Sequence, residues 1–122
     1  MRTPYSDENL DDLRMRFYRA MGEDRLWLSP TLSLDTLARR LGSHSDHVVA
    51  MLRREGKTLR DELLRYRIDE VKRIVETEPR IANREVARRS GFGSANNLCV
   101  CFRKSVGMTI SEYRKGNGAA SN

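Results

Sequence analysis

The chain contains only two cysteines, Cys99 and Cys101, which lie one residue apart and are followed at once by a basic pair. Thiolates could bind a metal ion or carry out redox chemistry. On a helix, however, side chains two residues apart diverge by about 200°, so these two sulfurs cannot share one metal ion or form a disulfide. His44 and His47 have no metal-binding spacing to the cysteines. We therefore predict no metal site and no cofactor, with Cys101 facing the core and Cys99 facing outward.

The sequence also lacks the patterns that are typical of enzymes. It shows no glycine-rich phosphate loop and no pairing of a nucleophile with a base, so no catalytic residue is predicted. Lys and Arg number 23 against 17 Asp and Glu, which gives a net charge of +6. Residues 34–115 alone carry 18 basic and 11 acidic groups, for +7. This excess favours a polyanionic partner such as nucleic acid or an anionic membrane surface.

The compartment is predicted from three absences. No run of about 18 apolar residues could span a bilayer, so no membrane contact is expected from this segment. The first residues are polar and acidic, whereas a signal peptide needs a basic start and an apolar block. Two cysteines are too few for a disulfide framework. Together these features predict a cytoplasmic protein.

Hydrophobic periodicity predicts helices throughout and no strand. A capped N-terminal helix begins in the Ser6–Asn9 segment and carries an apolar stripe that includes Leu13 and Phe17. A long helix follows Gly56 over residues 58–77 and ends before Pro79. The motif Ala-Arg-Arg-x-Gly occurs twice, at residues 38–42 and 87–91. Each copy stands at the end of one predicted helix and is followed by a turn and a second helix. Helix, glycine-containing turn and helix form the helix-turn-helix pattern, present here in two copies.

Three segments of the second half carry a more specific signature. They are residues 87–94 (ARRSGFGS), residues 102–104 (FRK) and residues 107–114 (GMTISEYR). With these segments the sequence closely resembles the DNA-binding domain of the AraC (arabinose-regulator) family of transcription factors. The resemblance extends upstream through residues 34–42 and 56–68, and so covers residues 31–115.

The resemblance implies an all-α fold of two helix-turn-helix subdomains joined by a long linker helix, with an extra N-terminal helix. The expected organisation is an N-terminal helical extension at 1–30 and a DNA-binding domain at 31–115. That domain comprises helix-turn-helix 34–55, linker helix 58–77 and helix-turn-helix 82–106, and a disordered tail is expected at 116–122. Such domains usually form the C-terminal part of a longer bacterial regulator, and this chain is expected to be that part.

Residues that would contact double-stranded DNA fall into two groups. Arginine, lysine, and groups at helix starts neutralise or bind phosphates; the candidates are Arg39, Arg40, Ser45, His47, Arg53, Arg54, Ser94, Arg103 and Lys104. Base edges would be read by outward residues of the second helix of each unit, where an asparagine amide can pair with adenine; the candidates are Asp46, Val49, Ala50, Asn96, Asn97, Cys99 and Val100.

Some of these residues have a second interpretation. Asn96 and Asn97 could equally cap a helix or form a turn, and His47 could be a packed helix residue. Arg67 is predicted to be an interior arginine paired with an acid, and Met108 a core residue together with Phe92, Phe102 and Tyr113.

Two classes of function remain open from the sequence. The first is a sequence-specific transcription regulator that contacts RNA polymerase and dimerises through regions outside this chain. The alternative is a basic helical protein-interaction module with only non-specific affinity for DNA. Salt dependence alone would not separate them, because both bind through charge; base preference would.

Overall fold

The computed structural model describes residues 9–121, with side chains described for residues 9–116. Within this range it contains seven α-helices, one short 3-10 helix at Leu26–Leu28 and no strand. The α-helices are α1 (Leu10–Gly22), α2 (Leu34–Arg40), α3 (Ser45–Arg53), α4 (Leu59–Thr77), α5 (Asn83–Ser90), α6 (Ala95–Val106) and α7 (Ile110–Ser121). The expectation of an all-α fold with two helix-turn-helix subdomains, a long linker helix and an additional N-terminal helix is confirmed. Residues 6–8, where the sequence predicts the start of the first helix, lie outside the described residues.

The described chain divides into two compact units. The first comprises residues 9–27 and 31–63, and the second comprises residues 28–30 and 64–121. The first unit contains α1, α2 and α3 together with the first turn of α4, and the second contains the remainder of α4 with α5, α6 and α7. Each unit therefore holds one complete helix-turn-helix, formed by α2 and α3 in the first and by α5 and α6 in the second.

Side-chain caps fix where several helices begin. Ser33 accepts a hydrogen bond from the Thr36 amide at the start of α2. Thr58 does the same for the Asp61 amide before α4. These hydroxyls satisfy amides that have no partner within the first helical turn, which explains why the chain enters a helix at these points. Before α7, Thr109 and Glu112 form a reciprocal capping box through their backbone amides.

The repeated motif ends both α2 and α5 in the same way. Gly42 and Gly91 adopt left-handed backbone conformations, with φ of +69° and +85°. In each case the amide of the residue after the glycine donates to the carbonyl of the motif's alanine, Ala38 or Ala87, at 2.9 and 3.0 Å. A side chain with a Cβ is strained at such φ values, which is why the motif requires glycine there.

The first unit is held together by apolar faces from all of its helices. Helix α1 packs against α3, and α2 also packs against α3. Leu13, Phe17 and Met21 of α1 are fully buried. Buried Trp27 donates its indole N–H to the Met21 carbonyl at 2.9 Å. The N-terminal helix is therefore an integral layer of this unit, because most of its apolar stripe is removed from water.

The core of the second unit is contributed by α4, α5, α6 and the start of α7. It comprises Ile68, Val71, Ile74, Val75, Val86, Ala87, Phe92, Leu98, Phe102 and Ile110. The Phe102 and Tyr113 rings pack edge to face, with centroids 5.5 Å apart. Arg114 donates to the carbonyls of Pro79 and Ile81 and to the Asn83 side chain. Helix α7 therefore holds the segment that leads into α5.

Two predictions about this part of the chain, on Met108 and on the tail, differ from the structure. Met108 retains 38% of its surface exposed; it follows the left-handed Gly107, where the chain has left α6 and lies outside the core. Arg67 is half-buried, in keeping with an interior arginine, and donates to the Ser29 carbonyl at 2.8 Å. The backbone of residues 116–121 continues α7, although a disordered tail is predicted there. The sequence has no proline after Pro79, so no proline interrupts α7 once its first turn has formed.

No helix among the described residues is both long enough and apolar enough to cross a membrane.

Candidate nucleic-acid interface

The second helix of each helix-turn-helix, α3 or α6, carries one polar surface and one buried surface. In α3 the buried residues are His47, Val48, Met51 and Leu52, and in α6 they are Leu98 and Phe102. The residues between them remain accessible to solvent. The 3.6-residue repeat places positions separated by three and four on one face, so each outward face is a continuous strip.

The outward strip of α3 contains an acid, two apolar residues and two arginines. Asp46, Val49, Ala50, Arg53 and Arg54 line a single shallow depression. Val49 and Ala50 are partly exposed, whereas the other three are exposed. The structure therefore brings together every base candidate of the first unit on one surface, beside two of its phosphate candidates.

The outward strip of α6 repeats this arrangement at the same distances from the start of the helix. Asn96 takes the position of Asp46, Cys99 and Val100 follow, and Arg103 and Lys104 complete the strip; all five are exposed. In both helices a polar residue stands at the second position, an apolar pair at the fifth and sixth positions and a basic residue at the ninth position. A second basic residue follows directly, Lys104 within α6 and the C-cap residue Arg54 after α3. Two helices with matching faces are consistent with two copies of one binding device.

The two asparagines of α6 have different surroundings. The Asn97 amide N–H donates to the Ser94 hydroxyl at 3.1 Å, which caps the helix, and its side-chain oxygen accepts from the Cys101 thiol at 3.5 Å. The Asn96 side chain forms no hydrogen bond to any described residue. A free amide can present its donor and acceptor together to a base edge, so Asn96 is the better placed of the two.

The cysteines lie as the helical geometry predicts. Cys99 is exposed and lies 3.8 Å from the Asn83 side-chain nitrogen, whereas Cys101 is half-buried and packs against the core of the second unit. Both are free thiols. Among the described residues, no group of three or more His, Cys, Asp or Glu side chains is arranged to hold a metal ion.

His47 is not available to a phosphate, although the sequence leaves that role open. Its side chain is only 4% exposed. The ring lies on the buried face of α3 beside Val48, with Nδ1 3.3 Å from the Ser43 hydroxyl and the His44 ring packed edge to face. The sequence contained the signal for this, because His47 precedes Met51 by four residues and shares its apolar face.

Ser45, one of the phosphate candidates at a helix start, does not cap α3. The N-cap residue is His44, which makes no capping hydrogen bond through its side chain. Ser45 is already the first helical residue, and its hydroxyl donates to the Asp35 carboxylate. A hydroxyl that is engaged by a carboxylate is a poor phosphate ligand, since the nearby negative charge repels a phosphate.

The remaining basic candidates fall into two groups. Arg39, Arg40 and Arg53 are exposed and form no ion pair within the described part of the chain. Arg54 instead pairs with Asp11 of α1, with Nη2 2.6 Å from the carboxylate oxygen. Arg54 would therefore have to leave the Asp11 carboxylate in order to contact a phosphate. Arg53 would lose no such ion pair.

Charged side chains of α5 form ion pairs with one another and with Glu78. Glu85 accepts hydrogen bonds from Arg88 and Arg89, which lower the pKa of its carboxyl to about 2. Arg89 also pairs with Glu78 at 2.6 Å. These arginines are the Arg-Arg pair of the second copy of the repeated motif and are already paired with acids, so they would contribute less to a phosphate surface than Arg39 and Arg40, the pair of the first copy.

One polar cluster of the first unit has no signal in the local sequence. Glu62, at the start of α4, is only 3% exposed and accepts a hydrogen bond from the Tyr18 hydroxyl at 2.7 Å. Lys57 lies 3.3 Å from the same carboxylate oxygen. Its amine hydrogen-bonds both partners, which raises the pKa of Lys57. This cluster attaches α1 to the start of α4, and the local sequence could not reveal it because its members lie about 40 residues apart.

Comparison with known proteins identifies the family. A family model described as "Helix-turn-helix domain" matches residues 29–116. No curated protein matches the sequence significantly.

Three solved structures share the fold. The C-terminal domain of the two-component response regulator yesN from Fusobacterium nucleatum is 22% identical and has a TM-score of 0.75, covering 84% of this chain and 98% of that one. A DNA-binding transcriptional dual regulator from Escherichia coli K-12 is 20% identical with a TM-score of 0.76, covering 88% and 93%. The C-terminal domain of AraT, a response regulator from Geobacillus stearothermophilus, is 18% identical with a TM-score of 0.75, covering 85% and 84%.

Proposed function

The chain belongs to the AraC-type family of helix-turn-helix domains, which are DNA-binding transcription regulators and not enzymes, and we propose that it binds double-stranded DNA sequence-specifically through α3 and α6. The observation that carries this proposal is the matched outward face of the two helices. A polar residue, an apolar pair and a basic pair recur at equal distances from each helix start. A solvated surface under no common constraint would not repeat that order.

The polar and apolar positions of each face have the chemistry of base contacts. Asn96 would pair with adenine through its amide, and Asp46 would accept a hydrogen bond from the cytosine amino group in the major groove. Both side chains are exposed near the start of their helices. The apolar pair that follows is exposed in α6 and partly exposed in α3. The second helix of a helix-turn-helix inserts into the major groove with such residues first.

The basic positions would supply phosphate contacts. Arg53 at the end of α3, with Arg103 and Lys104 at the end of α6, flanks the base-reading positions, and Arg39 and Arg40 extend the basic surface along α2. Each neutralised phosphate releases condensed counterions, so affinity falls steeply with salt. The first amides of a helix lack partners within it, so the start of α6 at Ser94 would offer a further phosphate site.

Three further roles are part of the same proposal. The chain acts as the C-terminal DNA-binding part of a longer regulator, contacts RNA polymerase, and dimerises through regions outside this chain. They rest on the membership of the family.

Selection from random duplexes tests the proposal, followed by fluorescence-anisotropy titration of the selected and scrambled duplexes at several salt concentrations. We expect a clear preference for the selected duplex. We also expect Arg53→Ala to weaken binding to both duplexes alike and to reduce the slope of log K against log salt by about one unit. The matched control is Arg73→Ala, an exposed arginine on α4 whose guanidinium is paired with Glu70.

Steep salt dependence without any preference among duplexes would instead support the basic interaction module. A salt slope that Arg73→Ala reduces as much as Arg53→Ala would show that the basic surface responds only to total charge.

A further inference from the structure

The outward strips of α3 and α6 each have an apolar centre, which is unusual for a surface that would approach a polyanion. Val49 and Ala50 occupy the middle of α3, and Cys99 and Val100 occupy the equivalent positions of α6. Val100 exposes 47% of its surface. A free cysteine behaves as a small hydrophobic residue, so both pairs lack a strong hydrogen-bonding group.

These positions are not part of the hydrophobic core. The residues that fill the interior of α3 are Val48, Met51 and Leu52, and those of α6 are Leu98 and Phe102. In the first unit, the apolar surface around Val49 extends to Leu34 and Leu59, which line an adjoining depression. Neither apolar pair is needed to complete a core, so each is available to a ligand.

The groups available in the major groove narrow the choice of ligand. Base edges there present hydrogen-bond donors and acceptors with one apolar exception, the C5-methyl group of thymine. Basic residues lie about one helical turn further along each face, at Arg53 and Arg103, where they can bind the flanking backbone. An apolar pair held between a polar residue and a basic residue therefore fits a thymine methyl better than any other group of the groove.

We propose that Val49 with Ala50, and Val100 with Cys99, read the C5-methyl groups of thymines in the two halves of the DNA site. This inference rests on the proposed function and specifies the base chemistry that the two helices recognise. Thymine would be preferred because its methyl group and the apolar side chains are removed from water together. A cytosine or purine edge at the same place has no methyl group to bury.

Deoxyuridine replaces thymine without altering any hydrogen bond, because it lacks only the C5-methyl group. The full chain is titrated on the selected duplex and on duplexes in which each thymine is replaced singly by deoxyuridine. We expect about fourfold weaker binding at one or more positions, the loss that corresponds to one buried methyl group.

Polar variants then assign each effect to its helix. Val49→Ser and Val100→Ser remove both γ-methyl groups and leave a hydroxyl, whereas threonine would keep a methyl that can itself contact thymine. Each should abolish the deoxyuridine effect at its own thymines and leave it intact at those of the other variant. Met15→Gln, which changes an exposed apolar residue of α1, should leave the effect unchanged everywhere.

The outcomes separate this inference from the proposed function. Three results would overturn the methyl-reading inference while sequence-specific binding stands. They are a selected site that lacks thymine, deoxyuridine effects below about 1.5-fold at all positions (against the roughly fourfold expected), and deoxyuridine effects that neither serine variant removes. Absence of any preferred duplex would overturn both. Circular dichroism of each variant confirms that it is folded, so that a loss of effect cannot arise from unfolding.

Discussion

At the scale of single residues, the two units share an order of chemistry but differ in its first member. Asp46 and Asn96 hold equivalent positions near the starts of α3 and α6, and both are exposed. One carries a negative charge and can only accept hydrogen bonds, whereas the other is neutral and both donates and accepts. The first unit should therefore favour a cytosine amino group and the second an adenine edge.

Asp46→Asn tests this difference directly. The substitution removes a negative charge from the surface that would approach the polyanion, so affinity for duplexes without the cytosine contact should rise. At the same time the preference for cytosine at one position should fall by about 1 to 3 kcal/mol. Anisotropy titration on duplexes that vary this base pair measures both effects. Asp69→Asn, which changes an exposed acid of α4, is the control; an equal loss of base preference in the control would contradict the assignment.

At the scale of elements, the N-terminal helix is built into the first helix-turn-helix by polar contacts as well as by packing. Asp11 pairs with Arg54, Arg14 pairs with Glu55, and Tyr18 donates to the buried carboxylate of Glu62. The first two pairs are exposed and contribute little stability. The Tyr18 bond differs because it satisfies a carboxylate that burial has removed from water.

We therefore expect Tyr18→Phe to lower the free energy of unfolding by about 1.5 to 3 kcal/mol, since the lost hydrogen bond is to a charged group. In a Glu62→Gln background the same substitution should cost less, because the acceptor is then neutral. Denaturant titration of the four proteins in this cycle measures the coupling. Strictly additive costs would show that the hydroxyl and the carboxylate act independently.

Helix α5 carries a pH-dependent contribution to stability. Hydrogen bonds from Arg88 and Arg89 lower the pKa of the Glu85 carboxyl from its ordinary value of 4.5 to about 2. A lowered pKa in the folded state stabilises the protein above the unfolded value, and the contribution is lost as pH falls from about 4.5 to about 2.

Glu85→Gln should therefore lower the melting temperature at pH 7, and the difference from the unsubstituted chain should vanish near pH 2. Thermal melts across this range measure the difference, with Glu23→Gln as a control at an exposed carboxyl. A difference that persists unchanged to the acid end of the range would indicate that the substitution acts through something other than the charge.

At the scale of the whole molecule, net charge and fold have separate causes. The excess of +6 does not shape the helices; it favours association with a polyanion. Part of that charge is already used internally, because Arg54, Arg88 and Arg89 are paired with acids. The salt dependence of DNA binding should therefore reflect the unpaired arginines of α2 and α3 and the basic end of α6 rather than the total charge.

The sequence by itself determined the helices, their starts at Ser33 and Ser94, and their ends at Gly42 and Gly91. These features depend on hydrogen bonds and backbone angles within a few residues, which local sequence specifies. The repeated Ala-Arg-Arg-x-Gly motif then predicted two helix-turn-helix units, and the opposite orientations of Cys99 and Cys101 followed from helical geometry.

Only the tertiary structure decided which polar residues are available. It buried His47, directed the Ser45 hydroxyl to Asp35, and left the Asn96 amide free while Asn97 became engaged. It also joined Tyr18 to Glu62 and Asp11 to Arg54 across more than 40 residues of sequence. Such contacts form only when separate helices pack together, and their partners are chosen by the geometry of that packing, which no local pattern encodes.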